Sequence, residues 1–217
     1  GGNLTGLITA ISLSKLNCEI DLVIDNPDKN MKSNRTIAIS ENNFSFLNKL
    51  NISISLKREI WPCSIIKLYT EIKNQKFSEI FELNNENEHE KILYMIENSK
   101  ITKLMLDRIK QIKSISLLKN EKVFSISTSK LLKSVKFSNN NSKYNLVIIC
   151  TGNNSSLVKN IFNNQIIKNS YNESAITTIL NHVSLKNNIA RQIFLDNEIL
   201  ALLPISNTKT SVVWSLN

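Results

Sequence analysis

The residues best suited to chemistry lie at the start of the sequence, where glycines precede an apolar stretch. Residues 1–6 read Gly-Gly-Asn-Leu-Thr-Gly, and apolar side chains follow at helical spacing from Leu7 onward. A glycine-rich turn before a helix lets the backbone approach a phosphate, whose charge the helix N-terminus stabilises. Gly1 and Gly6 occupy the outer positions of a dinucleotide-binding turn, but Asn3 replaces the middle glycine. Such turns also occur without a nucleotide, so this pattern alone leaves both interpretations open.

A carboxylate follows this helix at a spacing that suits ribose binding. Residues 19–25 predict a short apolar strand that ends at Asp25, 24 positions after Gly1. In Rossmann-type units an acidic residue about 20 positions after the glycines binds the ribose hydroxyls. Turn, helix, strand and acid therefore make up most of a βαβ nucleotide-binding unit. The alternative is an ordinary exposed carboxylate at the end of a strand.

The other candidates for chemistry are isolated in the sequence. Arg35 precedes an apolar stretch and is interpreted either as a surface cation or as a contact to phosphate or ribose. The two histidines are far apart, and the three cysteines show no CxxC spacing, so we expect no metal site. We find no Ser-His-Asp set, P-loop or pair of carboxylates, and no catalytic residue is assigned.

The elements that must position these residues are predicted from their hydrophobic periodicity. The first helix should stop at Asn17, and residues 144–150 form a continuous apolar run typical of a strand buried on both faces. Residues 86–90 predict an acidic loop. Further helices are expected at 41–50 and 101–112, and further strands within 65–83, at 115–118 and 122–128, in a hairpin across 131–148, and at 173–183, 190–196, 198–203 and 210–216.

Composition narrows the class of protein. The chain has 217 residues, of which 41% are hydrophobic and 21% charged, which excludes collagen-like and disordered classes. No apolar run approaches the roughly 18 residues of a membrane-spanning helix. An odd number of cysteines without a disulfide framework favours a reducing, cytoplasmic compartment.

The positive charge of the chain is concentrated in one block. The net charge is +9, and residues 101–150 hold ten basic and two acidic side chains. The block is interpreted as solvated surface, or as a region attracted to an anionic membrane or a cofactor phosphate. Few aromatic residues and no nucleic-acid-binding motif occur there, so nucleic acid is not an expected partner.

Five segments, taken in order, resemble one family. They are the glycine-rich turn with Asp25, then residues 34–40, 94–98, 146–152 with Ser155, and 202–204 with 211–215. Together they resemble the ubiquinone-biosynthesis hydroxylases, which belong to the class A flavoprotein aromatic monooxygenases with a p-hydroxybenzoate hydroxylase-like fold.

The resemblance implies an α/β fold in which a Rossmann-type FAD-binding domain is interleaved with a mainly antiparallel β substrate domain. The FAD-binding domain would comprise residues 1–68 and 99–165, and the substrate domain residues 69–98 and 166–217. The chain would then be an N-terminal and central fragment of a longer enzyme, because the family's later Gly-Asp motif would lie beyond Asn217.

The resemblance also implies cofactors and site residues. FAD would be bound, with NADPH or NADH as co-substrate. The glycine-rich turn would face the FAD pyrophosphate, Asp25 its adenosine ribose, and Arg35 would approach the FAD. Gly152 retains the glycine of the family's Asp-Gly motif, in which Thr151 replaces the aspartate. The turn residues assigned in this way are Gly1, Gly2, Asn3 and Gly6.

The implied reaction is hydroxylation of an aromatic ring in a polyprenylated ubiquinone precursor. Such a substrate is lipid-soluble, so we expect peripheral contact with the inner face of the membrane and assembly with other quinone-biosynthesis proteins. Two alternatives stay open: a flavin monooxygenase of a soluble aromatic, and a degenerate homologue that serves as an accessory or scaffold subunit. The replacements at Asn3 and Thr151 are the reason for the second alternative.

Overall fold

The computed structural model describes residues 1–26, 33, 35–52, 56–72, 76–85, 91–152, 155–162, 167 and 169–217. The chain divides into two compact units: Gly1–Lys32 with Thr102–Asn169, and Ser33–Ile101 with Ser170–Asn217. Residues 33–68, which the sequence analysis assigned to the FAD-binding domain, lie in the second unit. Each unit is therefore built from two separate stretches of chain.

The described elements alternate between short helices and a larger number of strands. The helices are α1 (Leu4–Leu13), α2 (Glu41–Lys49), α3 (Asn98–Ile109) and α4 (Ser156–Phe162), with a 3₁₀ turn at Ser14–Leu16. The strands are β1 (Ile20–Ile24), β2 (Thr36–Ser40), β3 (Trp61–Cys63), β4 (Ile65–Ile72), β5 (Lys76–Asn84), β6 (Leu93–Glu97), β7 (Ile115–Lys119), β8 (Ser125–Ser129), β9 (Leu132–Lys136), β10 (Asn141–Tyr144), β11 (Ser174–Asn181), β12 (Ile189–Phe194), β13 (Ile199–Ser206) and β14 (Lys209–Leu216).

The first unit combines a parallel strand pair with a small antiparallel sheet. Strand β1 pairs in parallel with β7, so that Ile24 lies opposite Lys119. Strands β8, β9 and β10 form a separate three-stranded meander. Helix α1 buries Leu7, Ala10 and Ile11, which share one face at spacings of three and four residues. The predicted βαβ-like order of turn, helix and strand is therefore present.

Helix α1 ends as the sequence predicts. A 3₁₀ turn prolongs it, and Asn17 then adopts a left-handed conformation with φ of 51°. Asparagine tolerates this region better than most residues with a side chain. The reversal sends the chain directly into β1.

The second unit is dominated by a six-stranded sheet in the order β11-β14-β13-β12-β4-β5. All neighbours are antiparallel except β12 and β4, which run parallel. A smaller sheet, β2-β6-β3, contributes Cys63 and Met95 to a core cluster with Ala190 of β12. The predicted strands within 65–83 and 173–216 are confirmed, with boundaries shifted by a few residues.

The predicted strand over 144–150 is wrong. Strand β10 ends at Tyr144, and residues 145–150 belong to no helix or strand. Leu146 is 70% exposed and Ile148 46% exposed. An apolar run becomes a buried strand only where neighbouring strands offer hydrogen bonds and cover its faces. Within the described residues β1 pairs with β7 alone, and no strand pairs with 145–150.

The fold class is mixed α/β, as predicted, while a complete Rossmann-type sheet stays a prediction. Helix α3 confirms the predicted 101–112 helix but begins at Asn98 and ends at Ile109. The acidic loop predicted at 86–90 lies outside the described residues. Within the described part of the chain, none of the helices combines the length and apolar character needed to cross a membrane.

Candidate cofactor site

Gly1 and Gly6 at the start of the chain are packed so closely against backbone atoms that a residue with a side chain would force the backbone to shift. A Cβ on Gly6 would overlap the carbonyl oxygen of Gly1, and a Cβ on Gly1 would overlap the carbonyl oxygen of Cys150. At Gly2 a Cβ would lie 2.5 Å from Cγ2 of Ile24 in β1. The turn is therefore held between the end of β1 and the backbone at Cys150 by contacts that only hydrogen atoms permit.

Asn3 begins helix α1 and closes its first turn. Its backbone is extended, with φ of −87° and ψ of 174°, and its side-chain Oδ1 accepts a hydrogen bond from the Gly6 N–H at 3.1 Å. The Leu7 N–H donates to the Asn3 carbonyl oxygen at 3.0 Å. The first turn of a helix leaves N–H groups without intrahelical acceptors, and a side-chain cap satisfies one of them.

Asp25 lies at the same end of β1 as the turn. It directly follows Ile24, against which Gly2 packs, and its side chain is exposed. The structure thus brings the predicted phosphate-facing turn and the predicted ribose-facing carboxylate to one strand end. In Rossmann-type units a glycine turn and a carboxylate lie at such a strand end.

Gly152 lies beside the turn, on the same groove as Asn3. Its φ of +78° is in the left-handed region, and a Cβ there would meet no atom within 4 Å. The glycine is therefore required for backbone conformation and not for space. The groove is open and has a volume of about 650 Å³. It is lined by Asn3, Thr5, Val147, Ile148, Ile149, Cys150, Gly152, Val158 and Phe162.

Arg35 lies in the second unit, immediately before β2. Its side chain is exposed, its N–H donates to Ser33 Oγ at 3.3 Å, and its carbonyl oxygen accepts from the Asn98 N–H at 2.8 Å. The backbone bonds fix where the strand begins and leave the guanidinium in solvent. Its predicted contact with FAD stays a prediction.

Sequence reasoning missed the role of Cys150, whose carbonyl oxygen closes the turn from the other side. The contact is made by the main-chain oxygen of Cys150, which lies where a side chain on Gly1 would begin. No signal in the sequence links positions 1 and 150, since neither residue type identifies a main-chain contact. Within the described residues, no three His, Cys, Asp or Glu side chains form a group that could hold a metal ion.

Comparison with solved structures identifies the fold. PqsL of Pseudomonas aeruginosa, described as a probable FAD-dependent monooxygenase, superposes with a TM-score of 0.83 at 11% identity. The match covers 100% of this chain and 58% of PqsL. The chain has the fold of FAD-dependent monooxygenases.

Two further structures support the same fold. The p-nitrophenol 4-monooxygenase PnpA of Pseudomonas putida gives a TM-score of 0.82 at 12% identity, over 100% of this chain and 56% of PnpA. CtdE, solved in complex with FAD, gives 0.75 at 12% identity, over 99% of this chain and 57% of CtdE. The chain thus spans less than three fifths of the length of each of these proteins. No protein-family model matches the sequence, and no curated protein matches it.

The N-terminus of α1 offers donor groups that suit an FAD pyrophosphate. The Cβ positions of Gly1, Gly2 and Gly6 are filled by the chain's own atoms, so these glycines set the close packing of the turn, and no acidic residue lies in the first turn of the helix. The partial positive charge of a helix N-terminus is consequently not neutralised there by a carboxylate. Gly1, Gly2, Asn3, Gly6, Asp25 and Gly152 all belong to the first unit, whereas Arg35 belongs to the second.

Proposed function

We propose that the intact protein is an FAD-dependent monooxygenase that hydroxylates an aromatic ring, using NADPH or NADH and O2. The observation that carries this proposal is the glycine turn packed against Cys150, with Asp25 at the same strand end. The fold shared with FAD-dependent monooxygenases supports it. FAD would supply the redox chemistry when bound.

The chain's own residues contribute binding and orientation in this proposal. The N–H groups in the first turn of α1 would donate to the pyrophosphate of FAD. The Asp25 carboxylate would accept hydrogen bonds from the adenosine ribose, and Gly152 would keep the adjoining loop free of a side chain. The family resemblance also assigns Arg35 a contact with FAD, and that contact stays part of the proposal.

The proposed substrate is a polyprenylated precursor of ubiquinone. This part of the proposal rests on the family resemblance of the five segments described above. PnpA is named for activity on p-nitrophenol, a soluble aromatic, and it shares the same fold. A soluble aromatic is therefore the alternative substrate class, and a comparison of NAD(P)H oxidation with the two substrate types separates them.

A lipid-soluble substrate requires access from a membrane, and we propose peripheral contact at its inner face through the β8–β9 hairpin. Leu131, at the tip of this hairpin, is 96% exposed and lies between Lys130 and Lys133. An apolar tip flanked by cations suits an anionic lipid surface. Assembly with other quinone-biosynthesis proteins belongs to the same proposal.

Flotation with vesicles tests the membrane contact. Binding should be stronger to vesicles containing phosphatidylglycerol than to pure phosphatidylcholine, and Leu131→Ser should weaken it. Leu16→Ser is the matched control, because Leu16 is 67% exposed in the same unit but lies outside the hairpin. Binding that ignores lipid charge, or that both variants weaken equally, contradicts the contact.

A visible absorption spectrum tests the cofactor. The full-length protein is purified without added flavin and then supplied with FAD, and we expect the bands of bound oxidised flavin. A folded protein that retains no flavin even with FAD supplied would end the monooxygenase proposal. It would favour the accessory-subunit alternative, which the replacements at Asn3 and Thr151 support.

A further inference from the structure

The Asn3 side chain lies at the place where the turn would receive an anion. Its Oδ1 accepts from the Gly6 N–H at 3.1 Å, so a neutral amide oxygen already caps the N-terminus of α1. A helix N-terminus attracts phosphate oxygens through these same N–H groups. The cap and a pyrophosphate therefore compete for one region of the helix end.

The start of α2 shows how a helix end without a ligand is completed in this chain. Ser40 Oγ accepts from the Asn43 N–H at 3.4 Å, and Glu41 lies in the first turn. The carboxylate complements the helix dipole. Helix α1 has a comparable side-chain cap from Asn3 but no acid in its first turn. The positive end of α1 is thus only partly complemented by the chain itself.

The hydrogen bond between the Asn3 side chain and the Gly6 N–H can be replaced by a bond to a ligand. Its backbone angles are those of extended chain, so the position does not require asparagine. The residue is half-buried and lines the open groove, and one hydrogen bond holds its side chain to the helix. Rotation about its side-chain bonds frees the Gly6 N–H without moving the glycines.

We propose that Asn3 is an internal competitor of the cofactor, a side chain that caps α1 in the free protein and must rotate away when the FAD pyrophosphate binds. This inference rests on the proposed function, since it takes the flavin cofactor as the incoming anion. Asn3 then sets the cofactor affinity. A protein that has the family's glycine at this position has no side chain to displace when the cofactor binds.

Two substitutions at position 3 move stability and affinity in opposite directions. Asn3→Ala removes the cap and opens the helix end, so the apoprotein melts at a lower temperature while FAD binds about 3- to 10-fold tighter, the equivalent of one lost N-cap. Asn3→Asp keeps a strong cap and adds a negative charge beside the phosphates. It preserves the apoprotein's melting temperature and weakens FAD binding by about tenfold or more.

The experiment is a fluorescence titration of the full-length apoprotein with FAD, paired with thermal unfolding without FAD. Ser40→Ala is the matched control, because it removes a cap from α2 and should lower the melting temperature without changing FAD affinity more than about twofold. Equal or weaker binding by Asn3→Ala overturns the inference, because Asn3 would then organise the turn for the cofactor. Retained affinity in Asn3→Asp overturns it as well.

The two proposals fail in different ways. Absence of FAD binding by the wild-type protein and by all three variants contradicts the proposed function. If the wild-type protein binds FAD but the variants at position 3 change the affinity in the directions opposite to those expected, the proposed function stands. Only the competition by Asn3 is then contradicted.

Discussion

Two asparagine side chains, Asn3 and Asn187, hydrogen-bond to main-chain groups of this molecule, and they do so in opposite environments. Asn3 is half-buried beside an open groove, and one hydrogen bond holds its side chain to Gly6. Asn187, in the second unit, is 6% exposed. Its Nδ2 donates to the carbonyl oxygens of Ser206 and Lys209, at 2.8 and 3.1 Å, and to Thr210 Oγ1 at 3.0 Å.

The burial and hydrogen bonds of Asn187 give it a structural role. Its main-chain carbonyl also accepts the indole N–H of Trp61, so both the side chain and the backbone of this residue tie separate segments together. Asn187 itself is buried and its partners are partly buried, so losing its side chain would leave polar groups there without a partner in place. At Asn3 a solvent molecule or a ligand oxygen can take the place of the amide. The difference shows that burial and bond number, and not residue type, separate a structural amide from a replaceable one.

The largest expected effect is at the buried asparagine. Asn187→Ala removes the amide donor of two carbonyl oxygens and leaves the Thr210 hydroxyl with His182 alone, and should lower the free energy of unfolding by about 2–4 kcal/mol. Urea denaturation measures this. Asn197→Ala is the control, because Asn197 is exposed in the β12–β13 turn and its loss should cost little. If Asn187→Ala lowers the free energy of unfolding less than Asn197→Ala does, the structural role of Asn187 is contradicted.

The next largest effect is expected at Gly6. A Cβ there overlaps the Gly1 carbonyl oxygen, so Gly6→Ala must displace the turn and should cost about 1–3 kcal/mol of unfolding free energy. The same variant should lose flavin binding under the proposed function. Thr9→Ala lies in the same helix away from the turn and should change both quantities little. Full flavin binding by Gly6→Ala would show that the close packing is not needed.

A smaller effect sharpens the comparison between the two helix caps. Ser40→Ala and Asn3→Ala each remove one N-cap and should each lower the free energy of unfolding by about 1 kcal/mol. Saturating FAD should reduce the loss of unfolding free energy in Asn3→Ala, because the cofactor then accepts hydrogen bonds from the N-terminus of α1 in place of the missing side chain. It should leave the loss in Ser40→Ala as it was. Differential scanning calorimetry with and without FAD compares them, and an equal reduction in both variants speaks against a replaceable cap.

The smallest effect concerns an exposed hydrogen bond in the same unit as Asn3. Tyr144 donates from its hydroxyl to Asp21 Oδ2 at 2.6 Å. Burial, and after it the bond and charge of Asp21, raise the pKa of Tyr144 to about 12. Because the folded-state pKa lies above the usual value near 10, the stabilisation is complete below pH 10 and declines as the pH rises toward 12.

Comparison of wild type with Tyr144→Phe isolates this contribution. The stability difference should be a few tenths of a kcal/mol near neutral pH, as for other exposed polar pairs, and should shrink between pH 10 and 12. Chemical denaturation across that range measures it. A difference that grows with pH has the wrong sign for a tyrosine hydroxyl bonded to a carboxylate.

The sequence predicts those parts of the site that depend on neighbouring residues. The start of α1, its left-handed end at Asn17 and the position of Asp25 after β1 all follow from local residue types and spacing. The predicted strand at 144–150 failed because pairing partners, and not its own apolar residues, decide whether such a run becomes a strand. The cap by Asn3 was missed, because in the sequence this residue stands out only as a replacement for glycine.

The carbonyl of Cys150 that closes the glycine turn has a consequence for the timing of folding. The two sides of that contact are separated by 149 positions, so the turn cannot reach its final shape while only the N-terminal part of the chain has been made. At about 5–20 residues per second, the ribosome needs roughly 7–30 s to synthesise the intervening chain. If a flavin binds at this turn, as proposed, it can join the protein only after most of the first unit has emerged.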